Sequence, residues 1–161
     1  MVRVAVLTVS TSGARGERAE DVSGATIREM AAAAGWSVAE HRVVADDRAE
    51  IAVALREWAD GDAVDLIVTT GGTGLSPTDV TPEATRDVLE KELPGMAEAM
   101  RSASLAKTPR AMLSRAVAGA RGRCLIVNLP GSPRGVRECL EAVLPVIGHA
   151  VEILQARPTD H

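Results

Sequence analysis

Asp65-Leu66-Ile67-Val68-Thr69-Thr70-Gly71-Gly72-Thr73-Gly74-Leu75-Ser76-Pro77-Thr78-Asp79-Val80-Thr81-Pro82-Glu83 decides the fold class. It opens with an unbroken apolar and β-branched run, the pattern of a strand buried on both faces. Gly-Gly-Thr-Gly then breaks it, and glycine lets the backbone take positive φ and approach a ligand closely. Thr81-Pro82-Glu83 predicts a helix start, with Thr81 as cap, Pro82 at the first helical position and Glu83 in the first turn. A polar loop thus runs from the carboxyl end of a buried strand to a helix N-terminus. In open α/β sheets ligands bind there, and free N–H groups at a helix start favour anions. Asp79 sits on this loop, where a carboxylate can hold a metal beside a phosphate. The same pattern also suits a plain capping turn, and the glycines alone do not separate the two. The loop matches neither the dinucleotide G-x-G-x-x-G pattern nor the P-loop.

Upstream, Val2 to Ser10 reads as a largely buried first strand, and 11–21 as a polar loop. Val22 to Ala34 reads as a helix ended by Gly35. Trp36 to Val44 reads as a strand with Trp36, Val38 and Val43 or Val44 facing inward. Arg48 to Asp60 reads as a helix with Ile51, Leu55 and Trp58 on one face. Downstream, helices are expected over Thr81–Glu92 and Met96–Leu105, with a short helical piece from Thr108-Pro109 to Arg115. Ala116–Gly119 reads as a short strand, 120–123 as a turn and Cys124–Leu129 as a strand. The pattern from Arg134 to Gln155 is helical, but Pro145 predicts a break or kink. The tail from Ala156 reads as frayed. Strands alternating with helices imply βαβ units and a three-layer α/β/α fold around a mainly parallel sheet. At 161 residues the chain suits one domain, 1–161.

Composition narrows the function. The net charge is -4, and two Trp are the only aromatic residues. Both argue against a general nucleic-acid binder or a base-stacking platform. No apolar stretch is long enough to span a bilayer and no secretory leader pattern opens the chain. Cys124 and Cys139 lack metal-ligand spacing and read as reduced, buried thiols of a cytoplasmic protein.

In a parallel sheet the loops at 8–10, 45–47, 70–79 and 128–132 fall on one edge and can converge. Asp46 and Asp79 are the acidic pair there, suited to Mg²⁺ completed by water and phosphate oxygens. Either Asp46 or Asp47 is expected to cap the following helix. Asn128-Leu129-Pro130-Gly131-Ser132-Pro133 is a second loop entering a helix start, where the N–H groups of Gly131 and Ser132 can hold an anion or simply begin the helix. Arg110, Arg115, Arg134 and Arg137 read as solvated surface, and His41 and His149 as isolated structural residues.

These motifs together resemble the signature of the molybdopterin adenylyltransferases of molybdenum cofactor biosynthesis. The similarity lies in Thr69 to Gly74, in Pro77 to Thr85, in Pro94-Gly95-Met96, in Leu113-Ser114-Arg115-Ala116-Val117-Ala118-Gly119 and in Asn128 to Pro133. It covers essentially the whole chain. The resemblance implies a molybdopterin-binding α/β/α domain that forms homotrimers. It implies a reaction in which molybdopterin and ATP, with Mg²⁺, give adenylyl-molybdopterin and pyrophosphate. It places the family's two essential aspartates on Asp46 and Asp79. The candidate substrate-binding set is Thr70, Gly71, Gly72, Thr73, Gly74, Ser76, Asn128, Pro130, Gly131 and Ser132. One departure stands out. Family members often carry an acidic residue just after the first strand, and Ser10-Thr11-Ser12-Gly13-Ala14-Arg15 has none, although Asp21, Ser23 and Gly24 match the end of that segment. The alternative is a non-catalytic paralogue that binds molybdopterin or only assembles. Both aspartates being present favours the enzyme.

Overall fold

Leu66–Thr70 forms a central strand because every one of its residues is apolar or β-branched, and all five are buried. The computed structural model describes residues 1–17 and 21–156. The strands are β1 (Arg3–Val9), β2 (Ser37–Val44), β3 (Leu66–Thr70), β4 (Lys91–Glu92), β5 (Ala118–Arg121) and β6 (Cys124–Leu129). They make one sheet in the order β2-β1-β3-β6-β5-β4. The first four in that order are parallel, and β5 and β4 run antiparallel at one edge.

The helices are α1 (Thr11–Ala14), α2 (Val22–Ala33), α3 (Arg48–Asp60), α4 (Thr81–Val88), α5 (Pro94–Leu105) and α6 (Pro133–Gln155). A 3-10 turn spans Pro109–Leu113. Strand alternation sorts the core into two layers. Val4, Val6, Leu66, Val68, Leu125 and Val127 face α2, α5 and α6. Ala5, Leu7, Ile67 and Ile126 face α3 and α4. Each of these buried Val, Leu and Ile side chains contributes about 1.5–3 kcal/mol. The layering is the expected α/β/α sandwich.

Several expectations need correction. The loop after β1 begins with the helical turn α1, capped by Ser10, whose side chain accepts from the Gly13 N–H; residues 18–20 of that loop lie outside the described set. Val38 faces outward, because β2 is an edge strand whose first four residues are all exposed. Trp36 does pack against the core. The helix expected to reach Glu92 stops at Val88, and Lys91-Glu92 instead pairs with Gly119 and Ala120. The strand expected at 116–119 is shifted to Ala118–Arg121, which shrinks the turn before Cys124 to Gly122-Arg123. Helix α6 runs unbroken through Pro145. Pro145 and Glu141 both lie on its exposed face, so the carbonyl that proline leaves without a donor can meet water. Of the tail expected to fray, 157–161 lies outside the described residues.

Candidate active site

β1 connects through α2 to β2 on one side, and β3 then pairs with β1 on its other side. The chain therefore reverses direction across the sheet between β1 and β3. The crevice at the carboxyl ends of two such strands is where open α/β sheets bind ligands. A cavity of about 920 Å³ lies there. It is walled by Thr8 to Ser12, Asp21 to Ser23, Asp46, Thr70 to Gly72, Asp79 and Gly131 to Pro133. All four strand-end loops expected to converge do so.

The glycine loop is held by its carbonyls. Gly71 and Gly72 have φ of 97° and 70°. A Cβ on Gly71 would strike the Val9 carbonyl, and one on Gly72 would strike Thr81 Oγ1. The Gly71 carbonyl accepts from Thr81 Oγ1 at 2.9 Å and the Gly72 carbonyl from Thr81 N at 3.1 Å. The Thr73 carbonyl accepts from Arg115 N at 2.9 Å and the Gly74 carbonyl from Arg115 Nε at 2.8 Å. The N–H groups of Gly72, Thr73 and Gly74 have no acceptor among the described residues. Successive unpaired N–H groups on the loop after β3 form a donor cradle for an anion. Thr81 is thus not the helix cap expected from sequence. Val80 occupies that position, and the Thr81 hydroxyl fixes the loop instead.

The second loop follows the same logic. Thr70 Oγ1 donates to the Pro130 carbonyl and Ser23 Oγ to the Gly131 carbonyl, both at 2.6 Å. Ser132 caps α6, its hydroxyl accepting from Gly135 N at 3.0 Å. The N–H groups of Gly131 and Ser132 have no acceptor among the described residues.

Asp46 and Asp79 enter the cavity from different loops. Asp46 Oδ2 accepts from Thr11 N at 3.1 Å and Thr11 Oγ1 at 2.9 Å, and Asp46 N donates back to Thr11 Oγ1 at 3.0 Å. Asp47 is the residue that caps α3, which leaves Asp46 for chemistry. Asp79 Oδ2 accepts from Ser76 N at 3.1 Å. Neither Asp46 Oδ1 nor Asp79 Oδ1 accepts a hydrogen bond from the described residues.

Four contributors were not legible as site residues. Thr11 braces Asp46 and Ser23 braces the second loop. Arg115, read as solvated surface, donates to Gly74 O and to Asp79 O at 2.9 Å and pairs with Glu83. That pairing draws the Glu83 carboxyl below its ordinary value. Asp21 caps α2 and lies 2.9 Å from His41 Nε2, so His41 is not isolated. Burial raises the Asp21 carboxyl, but hydrogen bonds from Thr8, the Gly24 amide and His41 outweigh it and hold it low.

The remaining expected residues lie elsewhere. Thr73, Gly74, Asn128 and Pro130 line a neighbouring cavity of about 330 Å³, and Ser132 lines both. Asn128 is fully buried, and its side chain bonds Val117 N, Thr69 Oγ1 and Thr85 Oγ1 at 3.0–3.1 Å. Ser76 is exposed outside both cavities, with its N–H on Asp79.

Comparison with known proteins shows the family. Residues 5–149 match the family described as a probable molybdopterin binding domain. The chain is 44% identical to the molybdopterin adenylyltransferase of Helicobacter pylori strain J99, over 95% of this chain and 88% of that protein. The crystal structure of the molybdopterin biosynthesis enzyme MoaB of Thermus thermophilus superposes with a TM-score of 0.91 at 55% identity, covering 98% of this chain and 99% of that one. The molybdopterin biosynthesis Mog protein of Mycobacterium ulcerans superposes with a TM-score of 0.89 at 42% identity, covering 96% and 99%. The chain therefore belongs to the molybdopterin-binding domain family of molybdenum cofactor biosynthesis.

Proposed function

We propose that the chain transfers the adenylyl group of ATP to the terminal phosphate of molybdopterin, giving adenylyl-molybdopterin and pyrophosphate. The observation that carries this reading is the convergence of Asp46, Asp79 and the free N–H groups of Gly72, Gly131 and Ser132 around one crevice, with those of Thr73 and Gly74 beside the adjoining cavity. Adenylyl transfer brings two anionic partners together, so it needs positioning and charge neutralisation more than proton chemistry.

The donor set fits Mg²⁺. Two carboxylates are hard oxygen ligands, and each keeps one uncommitted oxygen. Among the described residues no group of three His, Cys, Asp or Glu is placed to cage a metal, which leaves room for water and phosphate oxygens. Asp46 and Asp79 would hold Mg²⁺, and the ion would screen the repulsion between triphosphate and incoming phosphate.

The N–H groups of Gly72, Thr73 and Gly74 cradle phosphate oxygens of one substrate, and those of Gly131 and Ser132 hold the other. An oxygen of the molybdopterin phosphate bonds to the α-phosphorus as the bond from that phosphorus to pyrophosphate breaks. The attacking phosphate is already ionised at neutral pH, so no residue has to remove a proton. The neighbouring cavity, walled by Ala97, Met100, Ala111 and Leu113 with Lys107 and Arg110 beside them, takes the pterin ring. Ser132 bridges the two spaces.

We read the protein as one cytoplasmic domain acting as a homotrimer. Both cysteines are free and buried, in keeping with a reducing compartment, and burial pushes the Cys124 thiol up to about 12. No helix among the described residues is long and apolar enough to cross a membrane. Light scattering should give three times the chain mass.

The functional test is to mix purified protein with molybdopterin, ATP and Mg²⁺ and to follow adenylyl-molybdopterin. The parent should form product and Asp79→Asn should form little. Tight molybdopterin binding without product from the parent would replace the enzyme with the non-catalytic reading.

A further inference from the structure

We infer that Arg115 is the positioning residue for Asp79: a single guanidinium docks the exposed loop that presents this carboxylate to the cavity. This rests on the reading of Asp79 as a carboxylate of the Mg²⁺ and triphosphate site.

Leu75, Ser76, Pro77 and Thr78 are all exposed. The loop's internal bonds make a tight turn, with Asp79 N on Ser76 O at 2.9 Å, Ser76 N on Asp79 Oδ2 at 3.1 Å and the Ser76 and Thr78 hydroxyls 3.1 Å apart. These bonds shape the turn but do not dock it. Among the described residues, only two hydrogen bonds tie 74–79 to the rest of the molecule. They run from Arg115 Nε to Gly74 O at 2.8 Å and from Arg115 Nη2 to Asp79 O at 2.9 Å. The two carbonyls bracket the loop at its ends.

The remaining branch, Nη1, pairs with Glu83 on the first turn of α4. The guanidinium therefore connects the loop to the helix that begins just beyond it. Arginine suits this because its planar fork aims several N–H groups in fixed directions. A lysine ammonium in its place could reach one carbonyl but not dock both. Arg115 lines neither of the two cavities, so it acts through the loop it docks, from Gly74 to Asp79, and not on substrate. Its main-chain N–H on Thr73 O survives any side-chain change, so substitution isolates the guanidinium.

Three measurements on Arg115→Ala, Arg115→Lys and Glu83→Gln test this in the full chain. Amide hydrogen exchange, which needs no ligand, should quicken in peptides covering 74–80 and stay at the parental rate around Asp46. Mn²⁺ binding in the presence of ATP, read by electron paramagnetic resonance, should weaken by about tenfold or more in Arg115→Ala. Adenylyl transfer should fall on the order of 100-fold in kcat, with molybdopterin affinity and melting temperature near parental values. Arg115→Lys should recover only a small part of these losses and Glu83→Gln should lose least. Parental exchange over 74–80 would overturn the docking role. Faster exchange with parental Mn²⁺ binding, or equal losses of Mn²⁺ and molybdopterin binding with a lowered melting temperature, would overturn positioning in favour of general stability. A parent that binds Mn²⁺ and ATP but makes no product would overturn the enzymatic reading alone, since exchange and Mn²⁺ binding still decide the role of Arg115.

Discussion

Asp46 and Asp79 face one cavity from two loops that are built in opposite ways. Asp46 lies two residues beyond β2 and just before the cap of α3, and three hydrogen bonds with Thr11 lock it. Two of those bonds involve backbone N–H groups. Asp79 rides an exposed turn whose docking runs through one side chain. The comparison teaches that two carboxylates with one proposed duty need not be equally rigid. A site that must admit and release a triphosphate can keep one ligand fixed and let the other sit on a loop that opens locally.

The strongest way to break the comparison is to remove each carboxylate. Asp46→Asn and Asp79→Asn should each lower adenylyl transfer by on the order of 10²- to 10³-fold. Unequal losses of more than about tenfold would show that the two do not share a duty. The bracing residues should then separate. Thr11→Val removes the hydroxyl but leaves the Thr11 N–H on Asp46, so its loss should be about tenfold, well below that of Arg115→Ala. A larger loss from Thr11→Val than from Arg115→Ala would reverse the assignment of rigid and mobile loops.

Smaller still is the effect of charge on the Arg115 pair. Both side chains are about one-third exposed, so Glu83→Gln should cost about 1 kcal/mol of stability or less in thermal unfolding. The sign of its pH dependence follows from the direction of the shift. Glu83 titrates below its ordinary value of 4.5 in the folded chain, so its contribution is fully present above that value and is lost as pH falls through the lowered one. Between neutral pH and 5, hydrogen exchange at 74–79, corrected for intrinsic rates, should show no change from this group.

Much of the frame was legible in the chain. β3 and β6 each carry a run of apolar residues, Leu66-Ile67-Val68 and Cys124 to Val127, and such runs leading into Gly-Gly or Pro-Gly leave few alternatives to buried strands entering ligand loops. Asp79 and the Asp46-Asp47 pair were legible because strand-end loops of a parallel sheet share one edge, while the choice of Asp46 over Asp47 came from the family resemblance. What stayed hidden depends on tertiary partners. Lys91-Glu92 has no strand pattern of its own and becomes β4 only by pairing with β5. Pro145 breaks a helix in isolation but is tolerated on a solvent-facing side. Arg115 is one arginine among many until the fold brings Gly74 O, Asp79 O and Glu83 around it. Asn128 illustrates the converse. Its motif position suggested substrate, while its three hydrogen bonds tie β6 to β3, α4 and the segment before β5.

The most direct measurement is a double-mutant cycle in adenylyl transfer with Asp46→Asn, Asp79→Asn and the combined variant. If both carboxylates serve one metal-bound triphosphate, the double variant should lose about as much as either single one. Losses that multiply would contradict a shared site and assign the two carboxylates to independent steps.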